Sequence, residues 1–458
     1  MAASGKTALL AMAAFTAALA ALPAGAETIR VVPGEGRALQ DVLDAARAGD
    51  VVRLAAGEHG GPVRLGRALI LEGEPGAVLV GNGQGSVVTV TAAGAVVRGL
   101  EIRGSGRSID GFDSGVYLAR TARGARVEDN AILGNLYGVY LQGAEDAAVT
   151  GNRIVGLREG RSSEAGNGVH LWNAPGARVV GNDIRYGRDG IQVNTSRNNL
   201  FARNRFSDLR FAVHYMYAND SEVSDNVSTG NIVGFAIMYS ARLRITGNVS
   251  EGARDHGLLL HSTNNSHIAG NVVTGRMQPE IRWTAAGSAG GTHGVPAEAG
   301  PAQASAAGMR LGPEKCVFIY NANRNAFTGN RFENCAIGIH FTAGSEGNAM
   351  SGNAFIRNRT QVKYVGTRHL DWSAGGRGNY WSDNPAFDLD GDGLADAPYR
   401  PNDLVDRVLW TAPQAKILVN SPAVQVIRWA QARFPALLPG GVVDSRPLMA
   451  PPQERRRP

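Results

Sequence analysis

Arg203-Asn204, Asp225-Asn226 and Gly247-Asn248 return at steps of 22 residues. Between them, Ala212-Val213-His214-Tyr215-Met216 and Gly234-Phe235-Ala236-Ile237-Met238 return at the same step. Each of the latter segments alternates apolar and variable residues, the pattern of a strand with one face in and one face out. Each asparagine pair supplies the turn, because Asn tolerates left-handed backbone and bonds its own neighbours. A unit this short cannot bury its apolar face alone, so it forms a core only by stacking on copies of itself.

The pattern extends in both directions. Upstream lie Asp129-Asn130, Gly151-Asn152 and Gly181-Asn182, and downstream Gly270-Asn271, Gly329-Asn330, Gly352-Asn353 and Gly378-Asn379. Steps of 22 or 23 residues dominate, with insertions at Leu157 to Gly166 and at about 275–312. The alternating strand also recurs at Gly115 to Leu118, Gly138 to Leu141, Gly168 to Leu171, Gly190 to Val193, Gly257 to Leu260 and Gly338 to Phe341. The expected fold is all-β: a right-handed parallel β-helix of about 22-residue coils, spaced about 4.8 Å apart. A leucine-rich repeat would need a Leu/Asn spacing that is missing here.

The ends divide the chain further. Lys6, the apolar run Ala8 to Leu22 and Ala24-Gly25-Ala26 read as an export signal over 1–26. The β-helix is expected over 27–383, with Leu39 to Ala48 as a helix capping its open end. An Asp-rich loop follows at 384–400, then a C-terminal docking tail at 401–458, with amphipathic stretches at Leu404 to Leu418 and Val424 to Phe434. Cys316 and Cys335 are the only cysteines, and an exported chain allows them to pair. Net charge is +6, carried by scattered arginines without interleaved aromatics, so nucleic acid is not an expected partner.

Stacked coils turn the repeat into columns. In register, Met216, Met238 and His261 fall in one outward column, preceded by Trp172 and Asn194 and followed by Tyr320. His214 lies two residues before Met216 on the same face. Thioethers beside imidazoles form a soft donor set suited to Cu(I). Copper at His214, Met216, Met238 and His261 is therefore the first metal expectation; the plainer reading is burial under the 275–312 insertion or a partner. His170 and His340 occupy the column of His214 and read as satisfied or surface histidines. Asp388, Asp390, Asp392 and Asp396 match positions 1, 3, 5 and 9 of a calcium loop, although Tyr399 stands where the bidentate Glu belongs.

Many β-helix proteins cut or epimerise acidic glycans, using clustered carboxylates and a base. No column here stacks Asp or Glu, and no Ser/His/Asp spacing, Walker loop or Cys-x-x-Cys occurs. A polysaccharide lyase or epimerase stands as the alternative to a non-enzymatic protein, and a pure scaffold without metal contact as a third reading.

Several segments resemble the NosD family. They are Gly338 to Ser345, Gln361 to Gly366, Gly378-Asn379-Tyr380-Trp381-Ser382-Asp383, Asp388 to Tyr399, Leu418 to Trp429, Arg433-Phe434-Pro435 and Asp444-Ser445-Arg446-Pro447-Leu448. The resemblance covers nearly all of the exported chain; the C-terminal block is its most specific part, and the long insertion after Asn271 is unusual for the family. It implies a periplasmic accessory subunit, held at the inner membrane by an ABC transporter made of a membrane subunit and an ATPase. Such proteins receive copper from a lipoprotein chaperone and assist copper-centre assembly in nitrous oxide reductase.

Overall fold

The structure is a computed structural model describing residues 25–452 apart from 35, 37, 159–163, 278–313, 343, 367, 403, 412–414, 416–417, 419–420 and 435–440. The expected export signal up to residue 24, and His293 and Met309 of the insertion, lie outside the described residues.

Three long parallel sheets run the length of the molecule, with 13, 12 and 13 strands among the described residues. Within each sheet neighbouring strands come from successive coils, which is the parallel β-helix expected from the repeat. The core lies between the sheets and is built from inward columns. One runs Val116, Val139, Val169, Ile191, Val213, Phe235, Leu258, Val317, Ile339 and Val362. All of these are essentially inaccessible to solvent. Burying each such side chain contributes roughly 1.5–3 kcal/mol, which offsets the cost of ordering many short strands.

The asparagines of the repeat do more than turn the chain. Asn130, Asn152, Asn182, Asn204, Asn226, Asn248, Asn271, Asn330, Asn353 and Asn379 form a buried ladder. The backbone N–H and Nδ2 of each donate to Oδ1 of the next at 2.8–3.1 Å. Nδ2 also donates to a backbone carbonyl of the preceding coil, as Asn226 does to Phe201 at 2.8 Å. The ladder therefore satisfies polar groups that the tight turns would otherwise leave buried and unpaired. It passes across the long insertion without losing register, since Asn271 bonds Asn330 directly.

Both ends are closed. Helix α1, Leu39–Ala45, buries Leu39, Val42 and Leu43 over the first coils. It stops short of Ala48 because the Asp50 carboxylate captures the amides of Arg47 (2.7 Å) and Glu27 (2.9 Å) and turns the chain into the strand Val51–Leu54. At the other end the segment Gly441–Val443 pairs with His369–Asp371. Buried Asp444 then caps the asparagine ladder, accepting from the Asn379 amide (2.6 Å), Asn379 Nδ2 (3.2 Å) and Trp381 Nε1 (2.8 Å). Part of the expected tail is thus built into the solenoid. The remainder forms α2, Leu404–Thr411, and α3, Pro422–Arg433, the latter capped by Ser421. Cys316 and Cys335 are disulfide-bonded, with Cα atoms 5.7 Å apart, and fasten the coil that follows the insertion.

Candidate metal centre

Strand alternation places every second residue of the 12-stranded sheet on its outer surface. The pairing is Trp172 to Asn194, Asn194 to Met216, Met216 to Met238, Met238 to His261 and His261 to Tyr320. The two methionines and His261 are therefore on three successive coils, each about 4.8 Å from the next. All three are half-buried, between the exposed aromatics Trp172 and Tyr320. Flexible thioethers on adjacent coils can converge on one ion that a single coil could not hold.

The His261 ring sits between Tyr239 (4.7 Å between centroids) and Tyr320 (5.0 Å). Burial there holds its pKa below the ordinary histidine value, so the imidazole is neutral at pH 7. A neutral ring keeps one nitrogen lone pair for a metal.

His214 is placed differently. Its column runs His170, Gln192, His214, Ala236 and Leu259, parallel to the methionine column. His214 is almost fully buried, and its Nδ1 lies 3.0 Å from Oδ2 of Asp189. Asp189 is inaccessible to solvent and also receives Arg210 Nε (2.8 Å) and Nη2 (2.6 Å). Burial would raise the Asp189 carboxyl, but the bonds from His214 and Arg210 together hold it low and ionised. A carboxylate on one imidazole nitrogen fixes the ring and aims the other, an arrangement common behind metal ligands. The structure thus brings Met216, Met238 and His261 together on the surface, with His214 in the adjacent column, almost fully buried and bonded to Asp189.

The other column histidines are half-buried. His170 stacks on Tyr140 (4.5 Å), its Nδ1 lies 3.0 Å from Asn167 Nδ2, and burial lowers its pKa to about 4. His340, near Lys363 and Lys315, is lowered to about 3, first by burial and then by those charges.

The Asp-rich loop folds on itself. Carboxylate oxygens of Asp388, Asp390 and Asp392 lie within 4.8 Å of one another. Asp388 accepts from Gly391 (2.6 Å) and Gly393 (2.8 Å), which holds its pKa low, and Asp392 accepts from Leu394 (2.8 Å). Asp396 lies outside the cluster and accepts from Leu389 at 2.8 Å.

Tyr217 and Tyr239 escaped the sequence reading. They stand one residue beyond the methionines, exposed and stacked at 5.1 Å. The turn here demands left-handed backbone, met at Asn173, Thr195, Tyr217, Tyr239, Ser262 and Asn321 with φ of 46–52°. Asn adopts this easily, whereas Thr and Tyr are poor choices. The misfit residue types were the available signal that side chains at these positions serve something other than the turn.

Residues 155–386 match the family described as periplasmic copper-binding protein (NosD). The chain is 39% identical over 403 residues to a protein of Stutzerimonas stutzeri, covering 88% of this chain and 87% of the relative. It is 40% identical over 441 residues to one of Pseudomonas aeruginosa, covering 96% of each. The chain belongs to the NosD family. Both relatives carry the name "Probable ABC transporter binding protein NosD", a binding protein's name and not an enzyme's. The NosD match encloses the whole column from Trp172 to Tyr320, while Asp388 to Asp396 follow it. Among solved structures, the Dettilon tailspike protein superimposes with a TM-score of 0.52 at 16% identity, covering 70% of this chain and 62% of that one. That likeness is one of fold alone.

Proposed function

We propose that this chain receives and passes on Cu(I) in the periplasm, at the column Met216, Met238 and His261, with His214 as an inner ligand held by Asp189. The observation that carries the reading is the pairing of Met216 with Met238 and of Met238 with His261, which makes a soft donor set from three coils. Membership of a family described as periplasmic copper-binding supports the same chemistry.

In this reading copper arrives from a lipoprotein chaperone and leaves for the copper centres of nitrous oxide reductase. The chain is held at the inner membrane by the membrane subunit of an ABC transporter, whose ATPase drives the cycle. The relatives' names support a transporter association. Among the described residues no helix is long and apolar enough to cross a membrane. Helix α3 and its C-cap leave Val426, Trp429 and Phe434 more than half exposed, and this apolar face is the proposed grip on the membrane subunit. The clustered Asp388, Asp390 and Asp392, with Asp396 beside them, are a proposed calcium site that would rigidify the loop next to the C-terminal cap.

The test is a Cu(I) titration of the purified chain against a chromophoric competitor, with Met216→Ala/Met238→Ala beside it. Copper content of nitrous oxide reductase is measured in cells carrying each form. Affinity falls at least tenfold in the double variant, and reductase copper falls with it. Unchanged affinity and unchanged reductase copper would remove the assignment.

A further inference from the structure

Beside the methionine column, where the sheet turns into its neighbour, the coils form a trough of about 660 Å³. We propose that it docks an extended acidic peptide segment of a partner protein. Its shape follows from one column of turn residues. Arg120, Gly143, Asn173, Thr195 and Tyr217 succeed one another from coil to coil, so a large side chain closes each end and small ones floor the middle. Gly143 matters to the floor, because a Cβ there would stand 3.4–3.5 Å from the Arg120 side chain, filling space that is now open.

Charge decides the occupant. Four arginines line the trough against two carboxylates, Glu145 and Asp220. Two of the four are neutralised within the protein. Arg123 pairs with Asp146 at 3.0 Å and reaches Glu145 at 3.9 Å, and Arg242 grips Asp220 at 2.6 and 2.8 Å. Arg120 and Arg197 are exposed, and neither guanidinium has a hydrogen-bonded or ion-paired partner among the described residues; Arg197 acts on Asp220 only from beyond that range. Two free guanidinium forks in one concavity match carboxylates bidentately. They stand three coils apart, about 14 Å along the axis, or about four residues of extended chain. A peptide with acidic side chains at that spacing satisfies both, and its backbone has Tyr217 as an amphipathic wall.

The trough is continuous with the metal column, since Tyr217 stacks on Tyr239 and Tyr239 packs on His261. That the docked partner exchanges copper with this column rests on the function proposed above; the trough itself does not.

The experiment measures fluorescence anisotropy of fluorescein-labelled hexaglutamate with the full exported chain, with hexaglutamine as control. Hexaglutamate binds and hexaglutamine does not. Arg120→Glu/Arg197→Glu weakens binding at least tenfold, while Arg153→Glu/Arg205→Glu, on a different sheet, leaves it unchanged. Equal affinity in both variants, or no binding to the native chain, overturns the proposal. Phosphatidylglycerol vesicles that sediment with the native chain but not with Arg120→Glu/Arg197→Glu, when hexaglutamate does not bind, overturn it in favour of a lipid surface. Cu(I) uptake by Arg120→Glu/Arg197→Glu stays native. If the native chain takes up no Cu(I), the copper reading fails and the anisotropy result alone judges the trough.

Discussion

Replacing Asn226 with alanine removes one step of the asparagine ladder, and the consequences can be counted bond by bond. Asn226 Oδ1 accepts from the backbone N–H of Asn204 and from Asn204 Nδ2, both at 3.0 Å. Its Nδ2 donates to the Phe201 carbonyl at 2.8 Å and to Asn248 Oδ1 at 2.9 Å. After the change the Asn204 amide has lost its acceptor in a position without solvent, which costs about 1–3 kcal/mol. Asn204 Nδ2 keeps the Val179 carbonyl (2.9 Å) and Asn248 Oδ1 keeps the residue 226 amide (3.1 Å), so those losses are smaller. Taking the three remaining bonds at the low end of about 0.5–1.5 kcal/mol each gives a total of roughly 2.5–4.5 kcal/mol. In a solenoid the penalty is shared with neighbouring coils instead of unfolding the whole chain at once. Hydrogen exchange read by mass spectrometry is therefore the assay: peptides spanning 199–230 lose protection about 100-fold, since each 1.4 kcal/mol is tenfold, while peptides around 330–356 change little. The control is Asn198→Gly, at an exposed turn position with φ of 56°, which glycine adopts readily and which shifts stability by less than about 1 kcal/mol. If Asn226→Ala loosens its coils no more than this control, the ladder is not what holds the turns.

Asp444→Ala opens the end of the same ladder and strips the Trp381 indole of its acceptor. It costs about 2–4 kcal/mol, seen as a lower urea midpoint and a shift in tryptophan emission, because buried partners are left unpaired. His170, whose pKa desolvation lowers to about 4, binds no proton in the folded chain where the unfolded chain does. Its contribution is therefore complete above pH 6.5 and is lost as pH falls from about 6.5 towards 4. His170→Phe flattens the pH dependence of the urea midpoint in that window. Calorimetric titration with calcium gives a dissociation constant of about 10⁻⁴–10⁻³ M, abolished by Asp388→Ala/Asp390→Ala, because Tyr399 replaces the bidentate glutamate. No heat of binding in the native chain would dismiss the calcium site.

The repeat made the solenoid readable because a fixed step constrains every coil in the same way. Spacing of asparagines and of alternating strands was sufficient to place Met216, Met238 and His261 in one column, and the pairing bears that register out. What spacing could not convey was depth. His214 has the same parity as Met216 but is almost fully buried beside Asp189 of the preceding coil and Arg210 at the start of its own strand. The C-terminal segment was equally opaque, since Asp444 reaches Asn379 across 65 residues with no periodicity to announce it. Tyr217 and Tyr239 were missed because the turns read as connectors, although tyrosine at a left-handed position was itself a clue.

X-ray absorption at the copper edge of the Cu(I)-loaded chain tests the central claim most directly. Two sulfur scatterers and at least one imidazole nitrogen are predicted around the metal, and the sulfur signal disappears in Met216→Ala/Met238→Ala. A first shell of nitrogen and oxygen only, the same in both proteins, would contradict it.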